Sequence, residues 1–322
     1  MISNRSCEAL LTNITPLSSH DGPGLRTTLF FKGCPLRCRW CHNPETIRSV
    51  PELEWDRRFC IECRVCNTYC RNGAICFGEE RDYLIDKKQC LRCFVCADHC
   101  PSQALKVIGK RYSLEELEAL ILKDEKLIKN MGGGITFSGG EPTLQSAFIL
   151  QLSQNLKNKN FHLALDTCGQ ASWESYEQLL PYMDLLLIDL KEMDPTKHIE
   201  FTGSDNRLIH ENILHIVEYI HFHRLSTRIW IRTPLIPGMT ASLENMSAIG
   251  TFIDTYLSGD VDKWELCAFN NLCNDKYDRL GIQWNLKRTE LLSERIMEEL
   301  LLKAKQSVSS VKHVMASGLN KK

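Results

Sequence analysis

LRTTLFFKGCPLRCRWC, residues 25–41, decides how this chain is read. Leu25 to Phe31 reads as a strand, and it runs straight into three cysteines, Cys34, Cys38 and Cys41, with the spacing C-x3-C-x2-C. Three thiolates on one loop can hold three irons of a four-iron, four-sulfur cluster and leave the fourth iron open to a ligand. A cluster with four cysteine ligands is closed. Zinc could use the same thiols and recruit His42, but a histidine directly after a ligand is not the usual zinc spacing.

Working outward, the other cysteines repeat the theme. Eleven of the sixteen fall in three groups between Cys34 and Cys100. The second group is Cys60, Cys63, Cys66 and Cys70, and the third is Cys90, Cys93, Cys96 and Cys100, which Pro101 follows. C-x2-C-x2-C-x3-C is the run of two-cluster ferredoxins, in which the fourth cysteine of each run serves the other cluster. The expected sets are therefore Cys60, Cys63, Cys66 with Cys100, and Cys90, Cys93, Cys96 with Cys70. Arg71 stands where the first run would carry its proline. The two runs lie about thirty residues apart in a stretch poor in apolar periodicity, an internal duplication of a compact module. Cys7, Cys76, Cys168, Cys267 and Cys273 are read as structural thiols, Cys168 being nearest a strand end.

The rest of the 322 residues bounds the function class. Net charge is −1, which argues against nucleic acid or an anionic membrane as partner. No stretch approaches the ~18 apolar residues of a spanning helix, and no signal peptide opens the chain, so a cytoplasmic protein with reduced thiols is expected. From Ser113, which forms a capping-box pattern with Glu116, helices and strands alternate. Strands are expected at 134–137, 161–165, 184–190, 227–236 and 263–269, and helices at 206–224 and 243–256. Such alternation implies a parallel sheet with helices outside. With the strand at 25–31 there are about six strands, too few for a closed eight-stranded barrel. The fold class is α/β: a partial (β/α)6 TIM-like barrel, residues 1–51 and 109–322, with a small ferredoxin-like two-cluster insert at 52–108. Polar residues at the carboxyl ends of the strands should line the site.

The C-x3-C-x2-C run, Gly139-Gly140-Glu141-Pro142 after a strand, and the partial barrel together resemble the radical S-adenosylmethionine enzymes. Within them, Asp21-Gly22-Pro23-Gly24-x-Arg26, Cys41-His42-Asn43 and Asp189-Leu190-Lys191 are similar to the activating enzymes of glycyl radical enzymes, from about residue 14 to 290. The resemblance implies three 4Fe–4S clusters and S-adenosylmethionine held at Cys34, Cys38 and Cys41. It places Trp40, His42, Gly139, Gly140, Asp189, Leu190, Lys191, Arg232 and Asn270 around that nucleotide, with Asn270 standing where relatives carry a histidine. It also implies a monovalent cation site at Asp166, Thr167, the Leu187 carbonyl and Asp189, and a contact of the Asp21-Gly22-Pro23-Gly24 turn, near the barrel mouth, with the protein partner.

The activity so implied is reductive cleavage of S-adenosylmethionine to a 5′-deoxyadenosyl radical, which takes hydrogen from a backbone glycine of a partner dehydratase, decarboxylase or C–S or C–N lyase. Electrons would come from a flavodoxin or ferredoxin-type donor through the two closed clusters. Two other readings remain at this point. One is a radical enzyme acting on another peptide or a small molecule; the other is a pure iron–sulfur electron carrier, for which about sixty residues would suffice.

Overall fold

A computed structural model describes residues 8–77, 83–319 and 321. The strands are β1 (Glu8–Ser18), β2 (Arg26–Phe31), β3 (Glu52–Trp55), β4 (Ile75–Phe77), β5 (Tyr83–Ile85), β6 (Leu105–Ile108), β7 (Lys110–Ser113), β8 (Gly134–Gly139), β9 (His162–Thr167), β10 (Leu185–Asp189), β11 (Arg228–Leu235), β12 (Val261–Ala268) and β13 (His313–Ser317). The helices are α1 (Val65–Tyr69), α2 (Val95–Asp98), α3 (Leu114–Leu122), α4 (Glu125–Asn130), α5 (Ser146–Asn158), α6 (Trp173–Leu179), α7 (Pro195–Thr202), α8 (Arg207–His223), α9 (Leu243–Tyr256), α10 (Asn274–Arg279) and α11 (Glu294–Ser307).

Nine strands make one open sheet in the order β13-β12-β11-β10-β9-β8-β2-β1-β7. The run from β2 to β13 is parallel throughout, and β1 and β7 add antiparallel strands at one edge. The six expected strands are all present within two residues of their expected ends. A seventh parallel strand, β13, and the antiparallel pair were not anticipated. In β1 the buried residues are consecutive (Ala9, Leu10, Leu11) and then give way to exposed ones, so no period-two signal marks it as a strand.

Alternation along the strands gives the sheet two unlike faces. Leu163 and Leu165, Leu186 and Ile188, Ile229 and Ile231, and Trp264 and Leu266 face the helices in one continuous apolar core. The helices answer with the 3.6-residue period: α8 buries Ile209, Ile213, Ile216, Val217 and Ile220, and α5 buries Phe148, Ile149, Leu152 and Leu156. Trp264 is fully buried, and its indole N–H donates to Thr233 Oγ1 at 2.9 Å, so the ring's polar atom is satisfied inside the core. The other face carries Ala164, Leu185, Leu187 and Trp230 as a small apolar floor toward the amino-terminal ends, and polar residues toward the carboxyl ends.

The Ser113–Glu116 capping box is formed in both directions and starts α3. At the other end of the chain, Asp254 of α9 accepts from the backbone N–H and hydroxyl groups of Ser309 and Ser310 at 2.7–3.0 Å, pinning the segment that leads into β13. The Ser310 hydroxyl and the neighbouring amides hold this carboxyl at about 2. A depressed folded value stabilises above the unfolded value of about 3.9 and is lost as the pH falls from there toward 2. Asp254→Asn is expected to loosen residues 308–317 at neutral pH, seen as faster amide exchange in β13, with little difference from the parent near pH 2.

Residues 52–108 leave the large sheet as two ribbons, β3 with β6 and β4 with β5, and the short helices α1 and α2. The duplication is written into the backbone. Glu62, Arg64 and Gly73 have positive φ, and so do Arg92, Phe94 and Gln103, each thirty residues later. At the root of this segment the buried Lys32 at the end of β2 pairs with Glu52 at 2.9 Å and donates to the Glu45 carbonyl. Among the described residues no helix is long and apolar enough to cross a membrane. Cys7 lies outside the described residues.

Candidate functional site

The carboxyl end of β2 delivers the cysteine loop directly over the mouth of the sheet. Cys34, Cys38 and Cys41 line one cavity of about 300 Å³ together with Trp40, His42, Gly139, Gly140, Asp166, Thr167, Asp189, Lys191 and Arg232. These residues come from the ends of four strands, β8 to β11, and from the loop after β2, and the parallel register is what gathers them. Leu187 pairs with Asp166 and with Trp230, while Asp189 sits beside Arg232, so these inward positions stack in layers.

The fit to a three-thiolate cluster is carried by this donor set. A cluster of this kind spreads its thiolates over several irons, and the three cysteines line one cavity. Burial pushes the Cys38 thiol up to about 12 and carries Cys41 higher still, so these sulfurs hold protons until a metal displaces them. Burial works against the Lys191 ammonium, but Asp189, with which it pairs, together with Cys38 and Cys168 outweighs that and raises its pKa. Asp166 accepts from Ser138 Oγ at 2.7 Å and pairs with Arg232 at 3.2 Å. Burial, helped by nearby Asp189, nevertheless lifts the Asp166 carboxyl to about 6.

Several expected residues sit elsewhere. Leu187 belongs to the apolar floor, Leu190 to the outer core, and Asn270 lies outside the cavity wall. The Asn270 carbonyl meets His42 Nε2 at 3.0 Å, and its side chain accepts from the Leu272 amide. The Thr167 hydroxyl is turned to Glu141 and Tyr176 on the outer side, whereas Asp166 and Asp189 share the inner one. Gly139 and Gly140 line the cavity, but their glycine character has another cause: a Cβ would stand 2.3 Å from the Phe31 amide nitrogen and 2.2 Å from the Gly33 carbonyl, respectively. Close approach of two backbones, not access for a ligand, excludes side chains there.

The Asp21–Gly24 turn precedes β2, so it lies at the opposite end of that strand from the cluster loop rather than at the cluster mouth. It reaches back along the inner face: Asp21 accepts from Thr28 Oγ1 at 2.7 Å, and its carbonyl accepts from Thr136 Oγ1 at 2.8 Å. Arg26, pulled down to about 10 by burial, donates to the Pro23 carbonyl at 3.2 Å and to Thr136 at 2.6 Å. Gly24 has φ +69°, and a Cβ there would stand 2.5 Å from the Gly132 and Gly133 backbones. Gly24→Ala is expected to lower stability by about 1–3 kcal/mol, read as an earlier urea midpoint.

Three groups of residues around the cavity have partners that the local sequence does not show. Glu141, 1% exposed, accepts from Thr143, Thr167 and the Cys168 amide, and so ties the turn after β8 to the end of β9. The Cys168 thiol neighbours Cys34 and lowers its pKa. The third is a clamp on the cysteine loop. Tyr277 and Trp284 stack with ring centroids 4.7 Å apart; the Tyr277 hydroxyl donates to the Cys41 carbonyl at 2.8 Å and the Trp284 indole to the Arg39 carbonyl at 2.7 Å. Lys276 adds bonds to Asn43 and Glu45, both at 2.7 Å.

In residues 52–108, Cys60, Cys63, Cys66 and Cys100 line one small cavity. Cys66, Cys70, Cys90, Cys96 and Cys100 surround the Leu53–Ile75–Leu105 apolar contact. Burial, with Cys70 and Cys90 adding to it, pushes Cys96 up to about 11, and Cys93 is exposed.

A thiol-lined cavity over the carboxyl ends of a parallel α/β sheet has known counterparts. The Radical SAM superfamily model matches residues 28–247, and the chain belongs to that superfamily. It is 39% identical over 292 residues to the trans-4-hydroxy-L-proline dehydratase activating enzyme of Clostridioides difficile, covering 90% of this chain and 94% of that one. It is 34% identical over 292 residues to the (2S)-3-sulfopropanediol dehydratase activating enzyme of Klebsiella oxytoca, covering 89% and 90%. Its fold is similar to the crystal structure of Streptococcus suis SuiB bound to precursor peptide SuiA, with a TM-score of 0.50, 12% identity, and 88% of this chain and 46% of that one covered. Within the superfamily the chain belongs to the glycyl-radical-enzyme activating enzymes.

Proposed function

We propose that this chain installs a glycyl radical on a partner enzyme of dehydratase, decarboxylase or C–S or C–N lyase type, using three 4Fe–4S clusters and S-adenosylmethionine. The observation that carries this reading is the convergence of Cys34, Cys38 and Cys41 on one cavity with Gly139, Gly140, Asp189, Lys191 and Arg232. With the cluster and nucleotide bound, one electron cleaves the nucleotide's S–C bond, and the 5′-deoxyadenosyl radical so formed takes a hydrogen atom from the partner's glycine.

The chain's own residues bind and orient. Cys34, Cys38 and Cys41 supply the three thiolates. The paired charges Asp189–Lys191 and Asp166–Arg232 present both signs to a zwitterionic ligand, and the planar Arg232 fork suits a carboxylate. Trp40, Ile236 and Phe269 form an apolar wall that keeps water from the reacting end. His42 borders the same ligand from the loop, and Leu190 and Asn270, whose side chains turn away from the cavity, would reach it only through their backbone groups. A monovalent cation at Asp166 and Asp189, with the Leu187 carbonyl and Thr167, belongs to the same proposal, as does contact of Asp21, Gly22, Pro23 and Gly24 with the partner.

Two further clusters occupy residues 52–108, one on Cys60, Cys63, Cys66 and Cys100 and one on Cys70, Cys90, Cys93 and Cys96. The repeated positive-φ residues support this, because alternating backbone turns present amides to an anionic centre. These clusters relay electrons from a flavodoxin or ferredoxin-type donor. Cys60→Ala is expected to remove about four of some twelve irons while leaving dithionite-driven cleavage in place. Iron analysis and product counting check it.

The reading as a whole is tested by anoxic incubation with S-adenosylmethionine and dithionite, then with a partner enzyme. It expects 5′-deoxyadenosine and a glycyl doublet by electron paramagnetic resonance. An electron carrier yields neither, and an enzyme acting on small molecules or other peptides yields only the first.

A further inference from the structure

One cysteine outside the three runs stands against a proposed cluster ligand. Cys168 follows β9, is 6% exposed, and lines the same cavity as Cys34, Cys38 and Cys41. Its thiol neighbours that of Cys34, and both sulfurs are free. The other thiols outside the runs lie differently. Cys267 sits beside Arg232, Cys273 points at the Cys41 carbonyl, and Cys76 is exposed on β4.

Both backbones are held where they stand. The Cys34 amide donates to the Ile47 carbonyl at 3.0 Å, and the Cys34 carbonyl accepts from Arg37 Nη1 at 2.6 Å. The Cys168 amide donates to Glu141 at 2.8 Å, and the carbonyl of the next residue, Gly169, accepts from Asn212 Nδ2 at 2.8 Å. None of these bonds uses a sulfur, so the two thiols remain neighbours in the metal-free chain. Cys34 is half-buried, not sealed, so a small oxidant reaches the pair through the cavity. Cys38 and Cys41, which line the same cavity, are the competing partners for Cys34.

We infer that Cys34 and Cys168 form a reversible disulfide when the cavity holds no metal and hydrogen peroxide enters it. The peroxide oxidises one sulfur to a sulfenic acid: its O–O bond breaks, an S–O bond forms, and one water leaves with the thiol proton. The second thiol attacks that sulfur, forms the S–S bond, and expels the hydroxyl with its own proton as a second water. Two electrons pass from the thiol pair to the peroxide, and a dithiol reductant reverses the bond by exchange. The bridge keeps Cys34 off the irreversible sulfinic and sulfonic steps, so the thiol can be recovered. The inference rests on the proposed function only for the role of Cys34 as a cluster ligand; the bridge is a property of the metal-free chain.

The experiment treats the metal-free full chain with hydrogen peroxide, blocks free thiols with N-ethylmaleimide, and digests with trypsin without reduction. Cleavage after Lys32, Arg37, Lys159 and Lys191 leaves Cys34 in peptide 33–37 and Cys168 in peptide 160–191, each the single cysteine of its peptide. Mass spectrometry of the parent is expected to show 33–37 joined to 160–191, and dithiothreitol should release both. In Cys168→Ser, Cys34 should carry about fivefold more sulfinic and sulfonic acid than in the parent. Cys273→Ser, which removes a buried thiol nearby, should match the parent. Peptide 33–37 left unbridged, or joined to any peptide other than 160–191, overturns the inference. So does equal overoxidation of Cys34 in the parent and in Cys168→Ser. A parent that bridges as expected but, once reduced and reloaded with iron and sulfide, makes no 5′-deoxyadenosine with dithionite sinks the functional reading instead.

Discussion

Cys38→Ser is expected to give a folded protein with about eight irons in place of about twelve and no 5′-deoxyadenosine. The thiol lies inside the cavity, faces Lys191, and is held protonated by burial until a metal takes the proton's place. A serine hydroxyl ionises far less readily than a thiol and is a poor ligand for iron, so the third anchor is lost and the cluster with it. The substitution removes no backbone hydrogen bond and little volume, so stability should change little. Cys273→Ser is the matched control. That thiol is also shielded from solvent and lies 3.8 Å from the Cys41 carbonyl, yet it points at the loop's backbone and not into the cavity. It should keep its full iron content and turnover. If Cys38→Ser retained both, the three-thiolate reading would be wrong.

Glu141→Gln should cost about 3 kcal/mol of stability, the largest loss expected here from changing one atom. The carboxylate is sealed from water and receives the Thr143 amide at 3.2 Å, the Thr143 hydroxyl at 2.6 Å, the Thr167 hydroxyl at 2.9 Å and the Cys168 amide at 2.8 Å. Donors surround it, so an amide NH2 in place of one oxygen sets donor against donor and leaves an amide or hydroxyl unpaired in the core. The damage should reach the site, since Glu141 positions Cys168 against Cys34 and Thr167 beside Asp166. Urea unfolding of the apoprotein gives the stability; cluster retention on dilution gives the effect on the site. Thr167→Val, which removes one donor and leaves the carboxylate, should cost about 1 kcal/mol. An unchanged urea midpoint for Glu141→Gln would refute the hub.

Both predictions concern residues inside a motif, but the motif reveals the role of only one of them. Cys38 announces itself because iron chemistry demands thiolates at set intervals along one loop. Glu141 was visible as part of Gly139-Gly140-Glu141-Pro142, yet its partners are twenty-six and twenty-seven residues away, on another strand. Tyr277 and Trp284 carry no motif at all, being two aromatics in a polar stretch, which local pattern cannot tell from surface residues. Asn270 shows the opposite limit. Its position after β12 suggested a place at the site, but the chain turns there, and its carbonyl, not its amide, meets His42.

What the amino-acid sequence determined alone is the chemistry with short-range grammar: three thiol groups, the thirty-residue duplication, the period of strands and helices, and the parallel sheet they imply. Spacing along the chain is enough for these, because each cysteine run or apolar face is built from neighbours in sequence. The tertiary structure alone decided which face each strand end turns to the cavity, that β13 and β1 extend the sheet, and that the 270–288 segment grips the cysteine loop. Those follow from register and long-range packing, in which residues far apart in sequence become neighbours only once the whole core has closed.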